Sequence, residues 1–180
     1  MILYNGDMSK ARVLAEKKHT NLYDEKSYMI HLDGVVAVGR QYLSKIPHWK
    51  SLEDLLYLHD IKEDTDVTDE EILEVTNEMV LHWINLITDK EGRNRKERHL
   101  NTYPYIRRVE VVVLAKLCDR IFNIRYSLSK KNDKTKMYLK EADTFKAFLY
   151  EPEHSYAKKM WNVYDEEIKK LKDFCWKKRK

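Results

Sequence analysis

The stretch Val109–Leu128, "VEVVVLAKLCDRIFNIRYSL", decides the fold class. Its β-branched opening, Val109, Val111, Val112 and Val113, would suit a strand, because branched Cβ atoms pack well on a pleated surface. The apolar character nevertheless runs on for 20 residues without Gly or Pro, whereas strands usually run about 5–6 residues. The segment is therefore read as a buried helix. A helix that is apolar nearly all round needs other helices on every side.

The rest of the chain fits that need. Residues 7–19 have helix-forming composition with Met8, Val13 and Leu14 as inward positions, and a polar loop, "TNLYDEKS", separates them from an amphipathic helix, "YMIHLDGVVAVGRQYLSKI", ending before Pro47. Ser51 reads as the N-cap of "LEDLLYLHDIKED", and Thr68 with Glu71 forms a capping-box pattern ahead of "DEEILEV". Residues 76–88 read as helix, then a charged loop, "DKEGRNRKER", and two closing helices near 134–149 and 153–174. Strand alternation and hairpin turn signals are scarce, so the fold class is all-α. The 180 residues suit one compact helical domain, with its core over about 8–150 and a C-terminal helix and basic tail over about 153–180.

Polar residues interrupt this apolar pattern at three places. Asp119 sits near the middle of the most hydrophobic helix and needs a cation: Arg120, Arg125 or a metal. His31 stands among apolar neighbours in "YMIHLDGVVAV", where a hydrogen-bonded core histidine is the simpler reading. The third place is Leu56–Thr68, "LYLHDIKEDTDVT", with His59, Asp60, Glu63 and Asp64 inside six residues. On a continuous helix, His59 would share a face with Glu63, and Asp60 with Asp64. Burying such groups without partners costs several kcal/mol. The alternative is a helix end with His59 as a C-terminal cap and the carboxylates in water, although acids at a helix C-terminus oppose its dipole. Together, two imidazoles and two carboxylates suffice for one divalent ion with positions open to water and substrate.

The order H…HD…D resembles the HD-domain metal-dependent phosphohydrolases, and three ordered motifs bring the resemblance closer to the Rel/SpoT hydrolase branch. "HDIKEDT" is similar to that branch's HDxxEDT, "AKLCDRIFNIR" to its KLADRLxNxR, and "ITDKEGRNRKER" to the TDDK…ER of its small stand-alone members. The likeness runs from about Ala15 to Tyr138. It implies that His31, His59, Asp60 and Asp119 hold a metal, typically Mn²⁺, with Fe²⁺, Co²⁺, Zn²⁺ or Mg²⁺ as alternatives. It further implies that Glu63 and Asp64 are the catalytic acidic pair, and that Asn123 and Tyr138 contact a nucleotide. The branch's Arg-Lys pair that packs on guanine has no match in "HTNLYDEKS", where Tyr23 could stack on a base and Lys26 reach a phosphate. Arg95, Lys96 and Arg98, with Lys90, would supply cations for phosphoryl oxygens.

The implied function is hydrolysis of the 3′-diphosphate of (p)ppGpp with release of pyrophosphate. Its alternatives are an HD phosphatase acting on another nucleotide (the NADPH 2′-phosphate, a 3′-phosphorylated or a cyclic nucleotide) and a non-catalytic metal-bearing nucleotide-binding module. Other classes find little support. There is no GxxxxGK[ST] and no nucleic-acid-binding signature, so a small-molecule nucleotide is the expected partner despite the net charge of +4 and the basic end "KKLKDFCWKKRK". No stretch is apolar enough for a membrane span. Cys118 and Cys175, without metal-type spacing, fit a reducing compartment, the cytoplasm by default. Trp49, Trp83, Trp161 and Trp176 are read as packing residues, His82 and His99 carry no assigned role, and Thr65 is expected to shape the turn after the acidic pair.

Overall fold

The computed structural model describes residues 9–177; the Met8 expectation and the last basic residues lie outside them. Ten helices and one small hairpin make up this part. The expected buried helix is α8 (Glu110–Lys130), whose residues Val112 to Cys118 are all buried. The strand-like opening is overridden because every side of this helix meets apolar neighbours. It packs against α2 (Met29–Leu43) and α10 (Ala157–Lys177) most extensively, and also against α3 (Trp49–Leu58), α6 (Glu78–Ile87), α7 (Arg95–Ile106) and α9 (Lys134–Leu149). All these helices share a single cluster of buried apolar side chains.

The peripheral elements follow local sequence chemistry. Helix α1 (Lys10–Lys18) lies against α3 and α5 (Asp69–Val75), burying Ala11, Leu14 and Ala15. Val13, expected inside, is 47% exposed, because the buried stripe runs through positions 11, 14 and 15. The capping box at α5 forms as read: Glu71 N–H donates to Thr68 Oγ1 at 3.3 Å and Thr68 N–H to Glu71 Oε2 at 3.0 Å. Thr65 closes its turn by donating to the Ile61 carbonyl at 2.6 Å and accepting from Val67 N–H at 3.2 Å.

Five further features differ from the sequence reading. The "TNLYDEKS" segment contains a hairpin, β1 (Leu22–Tyr23) against β2 (Lys26–Ser27), turned by Asp24 and Glu25 at φ 52° and 62°. Both central residues are left-handed, the requirement of a tight hairpin turn, and Asp24 is steadied by the Tyr126 hydroxyl at 2.8 Å. Helix α3 begins at Trp49 behind His48 at φ 61°, which places Ser51 inside the helix rather than at its cap. The "GRNRKER" segment is half helix: Asn94 caps α7 by accepting from Glu97 N–H at 3.1 Å, so Arg95, Lys96 and Arg98 lie on a helix and not in a loop. Trp176 is 63% exposed and packs no core, unlike Trp83 and Trp161.

The fifth difference matters most for the site. The helix expected to run through "LYLHDIKED" stops at Leu58, and a turn at His59–Asp60 leads into the short α4 (Ile61–Asp64). Asp60 adopts φ −104° and ψ 0°, in the sparsely populated bridge region that recurs at functional sites. His59 and Glu63 therefore do not share one continuous helical face.

Candidate metal centre and its cleft

The helix break aims its two residues at partners from elsewhere in the chain. His31 comes from the first turns of α2, His59 and Asp60 from the α3–α4 turn, and Asp119 from the middle of α8. His31, His59 and Asp119 each offer a ligand atom within 4.8 Å of one another. The two Nε2 atoms stand 3.2 Å apart. Asp60 Oδ2 is 3.2 Å from His31 Nε2 and 3.1 Å from His59 Nε2, and Asp119 Oδ1 is 3.6 Å and 3.8 Å from the same atoms. All four residues named from the sequence thus converge.

The surroundings orient these groups. His59 Nδ1 lies 2.9 Å from the Leu56 carbonyl, which can only accept, so Nδ1 carries the proton and Nε2 is left for the centre. Tyr28 donates to Asp60 Oδ2 at 2.7 Å. Asn123, one turn after Asp119, donates its amide to Asp119 Oδ1 and accepts from the Tyr23 hydroxyl at 2.7 Å. The Tyr23 ring stacks on His31 with centroids 4.9 Å apart, so that face is not free for a base.

Charge is concentrated here. Burial disfavours the charged form of His59, but Asp60 and then Asp119 outweigh it and raise the imidazole to about 9. Burial likewise opposes ionisation of Asp60, yet His59 and His31 hold its carboxyl well below the usual range. Two facing ring nitrogens and two carboxylate oxygens are a donor set that suits a divalent transition ion. The residues present therefore fit a metal.

A cleft of about 200 Å³ opens over this cluster, lined among others by His31, Asp60, Glu63, Asp64 and Asp119. Glu63 Oε1 accepts from Asp89 N–H at 2.7 Å, and Asp64 Oδ2 accepts from Asn21 at 3.2 Å. Crowding by protein atoms, aided by the charge of Asp60 and opposed by Lys116, pushes the Glu63 carboxyl up to about 7. Its side chain still reaches solvent at the mouth of the cleft, and this exposure limits the associated free energy. Arg95, Asn123, Tyr138 and Tyr23 also line the cleft.

Lys96 and Arg98 do not. Lys96 is turned outward on the first turn of α7, and Arg98 pairs with Asp89 at 3.4 Å, one step behind the wall. Neither arginine considered for Asp119 is its partner: Arg120 binds Glu141 at 2.7 Å and Arg125 binds Glu167 at 2.9 Å.

Five lining residues escaped the sequence reading: Tyr28, Asp89, His99, Lys116 and Arg120 were not assigned to the cleft. Lys116 was signalled by its place one turn before Asp119, and Tyr28 by nothing local. His99 stacks on Tyr103 at 4.8 Å, and burial, reinforced by Arg95 and Lys116, lowers its pKa to about 4, so it is neutral at pH 7. Cys118 is buried and its thiol is pushed up by that burial, which leaves no thiolate for nucleophilic chemistry.

No family model matches the chain, and no curated protein matches it in sequence. Among solved structures it is similar to one described as a metazoan ortholog of SpoT that hydrolyzes ppGpp and plays a role in starvation responses. The TM-score is 0.68 at 18% identity, with 87% of this chain and 92% of that chain covered. At that identity the likeness speaks for the fold alone: this chain folds as the metazoan SpoT ortholog does.

Proposed function

We propose that this protein is an HD-type metal-dependent nucleotide phosphohydrolase, acting on the 3′-diphosphate of (p)ppGpp with release of pyrophosphate. The observation that carries the reading is the convergence of His31, His59, Asp60 and Asp119 at the floor of a cleft whose rim holds Glu63 and Asp64. The shared fold with a ppGpp hydrolase adds support.

The four floor residues would hold the ion, Mn²⁺ for preference, with Fe²⁺, Co²⁺, Zn²⁺ or Mg²⁺ as alternatives. Such an ion lowers the pKa of water and polarises a phosphoryl oxygen. Glu63, with its carboxyl near 7, accepts a proton from the attacking water, and Asp64 fixes that water's direction. A new O–P bond forms as the bond from phosphorus to the ribose 3′ oxygen breaks. That oxygen leaves with a proton returned from the acidic pair, giving pyrophosphate and a nucleotide with a free 3′ hydroxyl. Arg95, Tyr138 and the remaining amide hydrogen of Asn123 face the cleft and contact the nucleotide. Tyr23, stacked on His31 and bonded to Asn123, shapes the wall. No described helix is long and apolar enough to cross a membrane, and the reading places the enzyme with its nucleotide in the cytoplasm.

The test is incubation of the Mn²⁺-loaded protein with ppGpp, pppGpp, NADPH, cyclic nucleotides and ordinary triphosphates, resolving products by chromatography. Pyrophosphate and GDP from ppGpp, absent with Asp119→Ala, are the expected result. Turnover of a different nucleotide alone would keep the site chemistry and replace the substrate. Tight binding without any turnover would make the protein a sensing module.

A further inference from the structure

Three cations line the cleft among the described residues: Arg95, Lys116 and Arg120. Two of them share one carboxylate. Glu141 receives Arg95 Nε at 2.8 Å and Arg120 Nη1 at 2.7 Å. Lys116 is different. It is only 9% exposed, yet no carboxylate or other described acceptor lies within bonding reach of its ammonium. Lysines elsewhere in this chain fold onto acids when one is near, as Lys18 does on Glu71 at 2.8 Å and Lys170 on Glu167 at 2.9 Å. The Lys116 ammonium is not sealed in the protein but opens on the cleft, and holding a charge there without a counter-ion in contact needs a reason.

The surroundings supply one. Burial pulls against the charge on Lys116, but Asp119, Glu63 and Asp60, in that order, hold it protonated. Lys116 precedes Asp119 by three positions on α8, which puts the two on neighbouring parts of one face, about 4.5 Å apart along the axis. The acids thus keep the ammonium charged without occupying its donors, and those donors face the cleft beside the metal cluster. A group bound there must accept hydrogen bonds, carry negative charge and approach the residues that hold the ion.

We propose that Lys116 is a phosphoryl-binding catalytic residue: its ammonium grips non-bridging oxygens of the phosphoryl group under attack. The assignment rests on the hydrolase reading only for the word catalytic; the anion subsite stands on the cleft geometry. During hydrolysis Lys116 keeps its proton and opposes the charge that builds on the phosphoryl oxygens. A lysine serves here as a compact point charge, where Arg120 is committed through Nη1 to Glu141.

The test reads binding, not turnover. Inorganic phosphate is titrated into Mn²⁺-loaded protein and followed by ³¹P line broadening, for the wild type, Lys116→Met, Lys116→Gln and Lys116→Arg. Phosphate should bind about 10-fold or more weakly to the Met and Gln variants, as expected on losing a charge-assisted contact, and Lys116→Arg should recover part of it. Mn²⁺ stoichiometry should stay at the wild-type value in all four, with circular dichroism reporting the fold. Equal phosphate affinity in wild type and both neutral variants overturns the assignment, as does no phosphate binding by the wild type. Loss of Mn²⁺ from folded Lys116→Met and Lys116→Gln also overturns it, making Lys116 a structural counter-charge. Lys116-dependent phosphate binding in a protein that hydrolyses no nucleotide supports the subsite and removes the hydrolase reading.

Discussion

His31 and His59, 28 residues apart in the chain, face each other through Nε2 atoms separated by 3.2 Å. Two imidazole nitrogens at that distance are held together by what lies between and around them, here Asp60 and Asp119.

Metal should therefore stabilise the fold measurably. At a free Mn²⁺ concentration 100 times its Kd, the gain is about 2.7 kcal/mol. That corresponds to a Tm rise of roughly 5–10 °C for a chain of this size. Calorimetry with and without a chelator checks it. His31→Ala, His59→Ala and Asp119→Ala should each abolish the rise, and a variant that keeps both the rise and one ion per chain would not be a ligand variant.

Tyr28 would act on a bound ion through Asp60. Its hydroxyl donates to Asp60 Oδ2 at 2.7 Å, and its ring lies on His19 at a centroid distance of 4.5 Å. Tyr28→Phe keeps the stacking and removes the hydrogen bond. Loss of such an orienting contact commonly lowers metal affinity about 10–100-fold. Competition against a fluorescent chelator would show it, with ³¹P broadening by saturating metal left unchanged.

Glu63 sets the expected pH dependence. Its carboxyl near 7 is protonated at acid pH, where it accepts no proton from water. Activity should rise with pH through about 7, and Glu63→Gln should lose that limb of the profile together with most of kcat. The stability consequence has the opposite sense. A raised carboxyl pKa means that the fold disfavours the charge, so the penalty is absent below the unfolded value and grows as pH rises to the folded one. At pH 8 Glu63→Gln, which can still accept from Asp89 N–H, should raise Tm. Solvent at the cleft mouth keeps the gain to about 1 kcal/mol, or roughly 2–4 °C.

Gly34 allows α2 to approach α8. A Cβ there would overlap the ring of Phe122, which in turn packs 5.4 Å from the His31 ring. Gly34→Ala should cost about 1–3 kcal/mol through overpacking, lowering Tm by roughly 2–12 °C. Because Phe122 must shift against His31, metal affinity should fall as well. The neighbouring exposed change Arg40→Lys, on the same helix, serves as control.

The elements most legible in the sequence were those whose reasons are local. Thr68 and Glu71 cap α5 because a side chain three residues away can reach the free N–H groups at a helix start, wherever that helix later packs. The helical state of Val109–Leu128 followed from length, and the polar interruptions at His31, His59, Asp60 and Asp119 marked residues that could not be buried without a partner. Three-dimensional contact decided the rest. The turn at His59–Asp60 breaks a helix that its own spacing would continue, since Asp60 gains Tyr28 and two imidazoles by leaving the helical path. The Asp24–Glu25 hairpin lacks glycine and is held by Tyr126, about a hundred residues away. Arg95 reaches the cleft while Lys96 does not, because a helix turns about 100° per residue and only packing fixes which direction is inward. The sequence alone determined which groups must find partners; the tertiary structure decided which partners they found, and left Lys116 facing the cleft with none.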